Sequence, residues 1–132
     1  MEPAAVSDAP GPFGVGHSSF TAIDALRDNR MLKVEVWYPV DPEDRQDSPL
    51  TTYPLAGPIG MQSNLAVDDL PVSARQNQRL VVFSHGLGGI SIQSVKLTEA
   101  LASHGFIVIS PEHTGNTQSS NTYTFNEAAT SR

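Results

Sequence analysis

The segment 80–109 constrains the fold more than any other part of this 132-residue chain. It opens with the apolar run Leu-Val-Val-Phe at 80–83, turns through several glycines, continues over 91–104 without Gly or Pro, and closes with Phe-Ile-Val-Ile at 106–109. Short apolar runs between turn residues are typical of strands buried on both faces of a parallel sheet. Gly105 is the residue type that best ends a helix between them. The order predicts a βαβ unit, with Ile90, Leu97 and Leu101 on one side of the helix.

A second pattern predicts an antiparallel hairpin over 16–39. Residues 31–38 alternate, with Leu32, Val34, Val36 and Tyr38 on one face and Lys33, Glu35 and Trp37 on the other. This alternation indicates a half-exposed strand, which we expect to end at Pro39. The preceding pair Asp28-Asn29 tolerates left-handed turn geometry. Together the two patterns predict an α/β fold with a mixed sheet, in which a front hairpin adjoins a parallel βαβ unit.

Two stretches lack such periodicity. Residues 1–12 are rich in Pro and Ala and predict a flexible N-terminal arm, with the folded part over 13–132. Residues 40–78 carry five prolines and an acidic run, which predicts a long loop or an insertion around a cleft. A solvated linker with a turn of helix near 65–70 is an equal alternative.

Composition excludes several classes of protein. There is no cysteine, so disulfide scaffolds, thiol nucleophiles and cysteine-ligated metals are ruled out. Eight Lys and Arg face fourteen Asp and Glu, which disfavours a nucleic-acid partner. No apolar run approaches the ~18 residues of a membrane helix, and no secretory signal is visible. We expect either a cytoplasmic or a mature secreted protein, and the sequence leaves the compartment open.

The glycine turn at 84–89 is the most informative stretch for function. Glycines directly after a buried strand let the backbone turn sharply and present N–H groups to a cleft, as an oxyanion hole or an anion nest requires. A dinucleotide fingerprint lacks its last glycine here, and a phosphate-binding P-loop lacks its lysine. The strand followed by His-Gly-Leu-Gly-Gly agrees instead with the oxyanion loop of α/β-hydrolases.

The flanking residues strengthen that agreement. The chain resembles the branch of the α/β-hydrolases that holds the platelet-activating factor acetylhydrolases and the dienelactone-hydrolase-like esterases. The resemblance is carried by residues 11–16, 32–39, 81–88 and 101–108, followed by Glu112 and His113. It implies a serine esterase without a cofactor, acting on a small-molecule or lipid ester. By position in the motif, it implies the backbone N–H of Leu87 as an oxyanion donor, Gly86 and Gly88 as the turn, and His85 as support for the loop.

The nucleophile motif of that superfamily, G-x-S-x-G, does not occur in this sequence. We therefore expect an N-terminal fragment that is inactive alone and that is completed by the missing C-terminal part of the fold. Two alternatives remain open. One is a non-catalytic binding module, and the other is one piece of a two-chain hydrolase.

Several other polar residues could carry chemistry. Ser84 and His85 are adjacent on a strand end and face opposite ways, so we expect no catalytic dyad. Glu112, His113, Tyr123 and Phe125 are candidates for the substrate cleft. His17 has no obvious partner, and no third ligand at metal spacing accompanies Glu112 and His113, so we expect no metal.

Overall fold

The structure is a computed structural model, and it describes residues 9–115. The elements in chain order are β1 (Gly14–Asp24), β2 (Arg30–Val40), a 3-10 turn (Pro42–Asp44), β3 (Thr52–Ala56), β4 (Ile59–Gln62), β5 (Ala66–Asp68), β6 (Arg79–Val82), α1 (Val95–Ser103) and β7 (Phe106–Pro111). Residues 1–8 of the predicted arm lie outside the described residues, as do Tyr123 and Phe125.

Five strands form a mixed sheet in the order β5-β1-β2-β7-β6. β2 is antiparallel to both β1 and β7, whereas β6 and β7 are parallel neighbours joined through α1. The predicted mixed sheet and βαβ unit are therefore confirmed. Among the described residues, no helix is long and apolar enough to cross a membrane.

The predicted hairpin is also confirmed. β1 and β2 pair from Gly14 opposite Val40 to Asp24 opposite Arg30, and Asp28 and Asn29 both adopt positive φ, at 54° and 53°. Two details of the prediction were wrong. β2 continues through Pro39 to Val40, and its second half is buried on both faces because packing elements cover each side.

The segment 40–78 contains three strands where no regular element was predicted. β3 and β4 form a separate hairpin around Gly57, whose φ is +53°. β5 joins the edge of the main sheet parallel to β1, so the alternative of a helical turn near 65–70 was wrong. Backbone hydrogen bonds fix this edge, from Thr51 N–H to the Ala66 carbonyl and from Asp69 N–H to the His17 carbonyl.

The helix is shorter than predicted, and two of the three apolar residues predicted on one side of it pack against the core. α1 begins at Val95 because residues 91–94 form turns, and it ends before Gly105, whose φ is +99°. Ile90 and Leu101 pack against the core cluster, whereas Leu97 is 52% exposed. The side that packs on the sheet consists of Val95, Thr98, Glu99 and Ala102. Polar residues are buried at these positions because they have hydrogen-bond partners there. A pattern of apolar residues in the sequence does not reveal such partners.

Both faces of the sheet carry a hydrophobic cluster. The face under α1 holds the larger one, which includes Val15, Trp37, Tyr53, Val95 and Val108. The opposite face holds Tyr38, Val40, Val67 and Leu70.

That second cluster does not extend to β6. Leu80 is 59% exposed and Val82 is 60% exposed, so the prediction that this strand is buried on both faces was wrong. β6 is the last strand of the described sheet, and within residues 9–115 no element covers Leu80 and Val82.

Candidate oxyanion site

Two loops and the start of β2 lie together at the carboxyl ends of the parallel strands. β6 and β7 are parallel, so residues 83–89 and 112–115 leave the sheet at the same end of these strands. β2 runs antiparallel to β7, which brings the start of β2 to this edge as well. Functional residues of open α/β sheets collect at the carboxyl ends of the parallel strands.

The glycine turn after β6 is a hydrogen-bonded β-turn. The N–H of Gly89 donates to the Gly86 carbonyl at 2.9 Å, which places Leu87 and Gly88 at the centre of the turn. Gly88 has φ of +67°, whereas Leu87 does not have a positive φ. This combination matches a type II turn, in which glycine is favoured at the second central position. The glycine at 88 is therefore required by the backbone.

Leu87 lies at the exposed tip of this turn. Its side chain is 63% exposed, and no acceptor for its N–H is found among the described residues. The Gly86 carbonyl and the Leu87 N–H belong to one trans peptide group, so they point in opposite directions. The carbonyl points to its donor within the turn, which directs the N–H away from the turn.

His85 fixes the same peptide group. The ring is buried, its Nδ1 lies 2.8 Å from the Gly86 carbonyl, and its Nε2 accepts from the N–H of His113 at 2.9 Å. Because a carbonyl can only accept and an amide N–H only donates, the ring proton must be on Nδ1. The Gly86 carbonyl therefore accepts two hydrogen bonds, one from His85 and one from Gly89.

Ser84 contacts His113, a pairing that the sequence did not reveal. Ser84 Oγ lies 2.7 Å from His113 Nε2, and the His85 and His113 rings are 4.8 Å apart between centroids. Burial lowers the pKa of His113, and the nearby His85 and Arg30 lower it further. Ser84 is exposed and His85 is buried, and both form a hydrogen bond with His113. The sequence carried one signal for this contact, because each partner lies just after one of two neighbouring parallel strands.

The residues after β7 are held to β2. The N–H of Glu112 donates to the Lys33 carbonyl at 2.7 Å, and Thr114 Oγ1 donates to the Met31 carbonyl at 2.5 Å. Glu112 and His113 thus lie at the same edge as the glycine turn, both partly exposed. Among residues 9–115, no group of three His, Asp or Glu side chains could hold a metal ion.

His17 has two partners, so the expectation of none was wrong. Its Nε2 lies 2.6 Å from Glu35 and its Nδ1 lies 2.7 Å from Asp68, while Lys33 pairs with Glu35 at 3.0 Å. Burial lowers the pKa of His17, but the hydrogen bonds and charges of Glu35 and Asp68 outweigh it and raise the pKa overall. Asp68 lies far along the chain on β5, which explains why sequence reasoning missed the pair.

A second polar cluster joins α1 to the β3–β4 hairpin. Glu99 is 5% exposed and accepts from Tyr53 Oη at 2.7 Å and from Ser63 Oγ at 2.5 Å. Trp37 Nε1 donates to Tyr53 Oη at 2.8 Å. Burial, together with the Glu99 carboxylate, raises the pKa of Tyr53. This cluster fixes the helix that follows the glycine turn.

The sheet order, the βαβ unit and the glycine turn at its carboxyl edge define the front part of an α/β-hydrolase fold. The family model of platelet-activating factor acetylhydrolase, isoform II, matches residues 58–132, and the chain belongs to this family. A comparison with curated proteins gave no match.

Among solved structures, the chain is similar to a ferulic acid esterase from Streptomyces cinnamoneus. The two share 28% sequence identity with a TM-score of 0.71. The match covers 83% of this chain and 36% of the esterase, so the chain spans about a third of that protein.

Proposed function

We propose that the protein carrying this chain is a carboxylic ester hydrolase that acts through a serine acyl-enzyme. The chain contributes the backbone N–H of Leu87 as one donor of the oxyanion hole. One observation carries the proposal: the Gly86–Leu87 peptide is fixed by its carbonyl, while its N–H has no acceptor among the described residues. Family membership and the similar esterase support the reaction class.

The geometry suits the charge that develops during acyl transfer. When a serine attacks an ester carbonyl, its oxygen becomes negative, and a preoriented N–H stabilises that charge without reorganising. One such donor is worth about 3–4 kcal/mol of transition-state stabilisation. The G-x-S-x-G serine is absent from these 132 residues, so we expect this chain alone to be inactive.

The substrate is a small-molecule or lipid ester with an accessible acyl group. The two matched proteins are named for a platelet-activating factor and for ferulic acid, and the chemistry they share is cleavage of a carboxylic ester. Glu112, His113, Tyr123 and Phe125 are the proposed cleft residues of this chain. No cofactor is needed for this chemistry.

Hydrolysis of p-nitrophenyl esters tests the proposal. The protein that carries this chain should release nitrophenol from the acetate ester, and an alkyl phosphonate ester should inactivate it by labelling one serine. The 132-residue chain serves as the matched control and should be neither active nor labelled. An intact, folded protein that hydrolyses no ester would refute the proposal.

The exposed side of β6 is also compatible with a second arrangement, in which two chains form the hydrolase. Leu80 and Val82 are apolar and exposed on β6, where a further strand of a hydrolase sheet would pair. In a two-chain hydrolase, a separate chain carrying the nucleophile would cover them. Activity that appears only on mixing the two pieces would support this arrangement, whereas activity of one continuous chain would exclude it.

A further inference from the structure

We infer that His113 is a positioning residue for the oxyanion donor, which it orients through Ser84 and His85. The inference rests on the proposed function and gives His113, one of the proposed cleft residues, a role in holding the loop. Ser84 and His85 follow β6, whereas His113 follows β7. Their contacts therefore determine how the segment after β6 lies relative to the segment after β7.

The first step is the anchoring of His113 itself. Its two neighbours are hydrogen-bonded to β2, since Glu112 N–H donates to the Lys33 carbonyl and Thr114 Oγ1 to the Met31 carbonyl. β2 is the central strand of the described sheet. His113 is therefore held by rigid structure on both sides.

The second step is the contact with the residues before the turn. His113 uses its ring Nε2 for Ser84 Oγ at 2.7 Å and its backbone N–H for His85 Nε2 at 2.9 Å. The second bond keeps the His85 proton on Nδ1, because Nε2 must accept. Ser84 and His85, which lead into the glycine turn, are thus both held by His113, which follows β7.

The third step connects His85 to the oxyanion donor. His85 Nδ1 donates to the Gly86 carbonyl at 2.8 Å, and this carbonyl shares its peptide plane with the Leu87 N–H. A rotation of that plane would turn the N–H away from the reacting oxygen. Displacements of about 1 Å in such a site can cost ~10²-fold in rate.

Kinetics of four variants test this chain of contacts in the protein that carries it. His113→Leu and Ser84→Ala each remove the Ser84–His113 hydrogen bond and keep the bond from the His113 backbone N–H to His85, so each loosens the segment before the turn and should lower kcat about tenfold with little change in KM. The double variant should be no slower than either single variant, because the two residues act through one contact. His113→Gln should retain most activity, since the amide can accept from Ser84 Oγ.

His104→Leu is the matched control, because His104 is an exposed histidine that follows α1 at the opposite edge of the sheet. It should leave kcat unchanged. Three outcomes would overturn the inference: an unchanged kcat in His113→Leu, fully additive losses in the double variant, or complete loss of activity in Ser84→Ala, which would make Ser84 a nucleophile.

A readout independent of catalysis separates this inference from the proposed function. Nitrogen NMR of the histidine rings should show His85 protonated on Nδ1, and the chemical shift of the Leu87 amide should differ between His113→Leu and the parent, because the Gly86–Leu87 peptide plane changes its orientation. If the parent hydrolyses no ester, the proposed function fails while these signals still test the contacts. An unchanged Leu87 amide would contradict the inference.

Discussion

Two regions of the described sheet differ in how completely they are covered. In the region under α1, Trp37 of the central strand β2 is fully buried, and the Glu99 cluster satisfies its own hydrogen bonds. At the β6 end, Leu80 and Val82 are more than half exposed and Leu87 stands free at the turn. Among the described residues, the region under α1 is thus packed from both sides, whereas the outer face of β6 and the proposed oxyanion donor at Leu87 are exposed.

The largest expected effect on stability is in the region under α1. Trp37→Ala removes a fully buried ring and the hydrogen bond to Tyr53, so the free energy of unfolding should fall by about 3–5 kcal/mol. Denaturant unfolding of the protein that carries this chain measures the change. Leu87→Ala, which shortens an exposed side chain, should change it by less than about 0.5 kcal/mol. Equal losses of unfolding free energy in the two variants would remove the distinction between the two regions.

Substitution of the buried Glu99 should have the second-largest effect on stability. Glu99→Ala leaves the hydroxyls of Tyr53 and Ser63 without their acceptor and should cost about 2–3 kcal/mol of stability. Glu99→Gln retains one acceptor oxygen and should cost less. Thermal unfolding of the two variants checks the order. A Glu99→Ala variant as stable as the parent would show that the cluster does not hold α1.

A matched pair of valines compares neighbouring strands directly. Val108 on β7 is fully buried, whereas Val82 on β6 is 60% exposed. In the 132-residue chain, Val108→Ala should cost about 1–2 kcal/mol and Val82→Ala less than about 0.5 kcal/mol. In a longer protein whose remaining fold covers β6, the two costs should converge. A persistent difference there would mean that β6 stays exposed.

The smallest effect concerns pH. The pKa of His17 is raised by Glu35 and Asp68, so its protonated form stabilises the folded state. This contribution is fully present below the unfolded pKa of 6.5 and is lost as pH rises through the raised folded value. Stability should therefore decline on the alkaline side, and His17→Gln should flatten that decline. Urea unfolding at pH 6, 7.5 and 9 measures it; a profile identical in parent and variant would contradict the assignment.

Local signals predicted the parts of the fold that depend on neighbouring residues. The turn at Asp28-Asn29 identified the hairpin, and Gly105 identified the helix end, because each residue type determines its own backbone geometry. The glycine turn at 86–89 was recognisable for the same reason.

Contacts between distant segments could not be predicted in this way. β5 has only three residues, and its partner strand lies some fifty positions earlier in the chain, so no local pattern marks it. The burial of Glu99 depends on Tyr53 and Ser63 from the segment that seemed irregular. The Ser84–His113 contact depends on the parallel pairing of β6 with β7, and the sequence places the two residues 29 apart.

The most direct test of the central claim is to remove the Leu87 N–H alone. Proline lacks the N–H and is favoured at the first central position of a type II turn, so Leu87→Pro should preserve the turn. Leu87→Ala keeps the N–H and is the matched control. In the protein that carries this chain, we expect kcat/KM for ester hydrolysis to fall about 10²–10³-fold in Leu87→Pro and to stay close to the parent value in Leu87→Ala. Full activity in a correctly folded Leu87→Pro variant would contradict it.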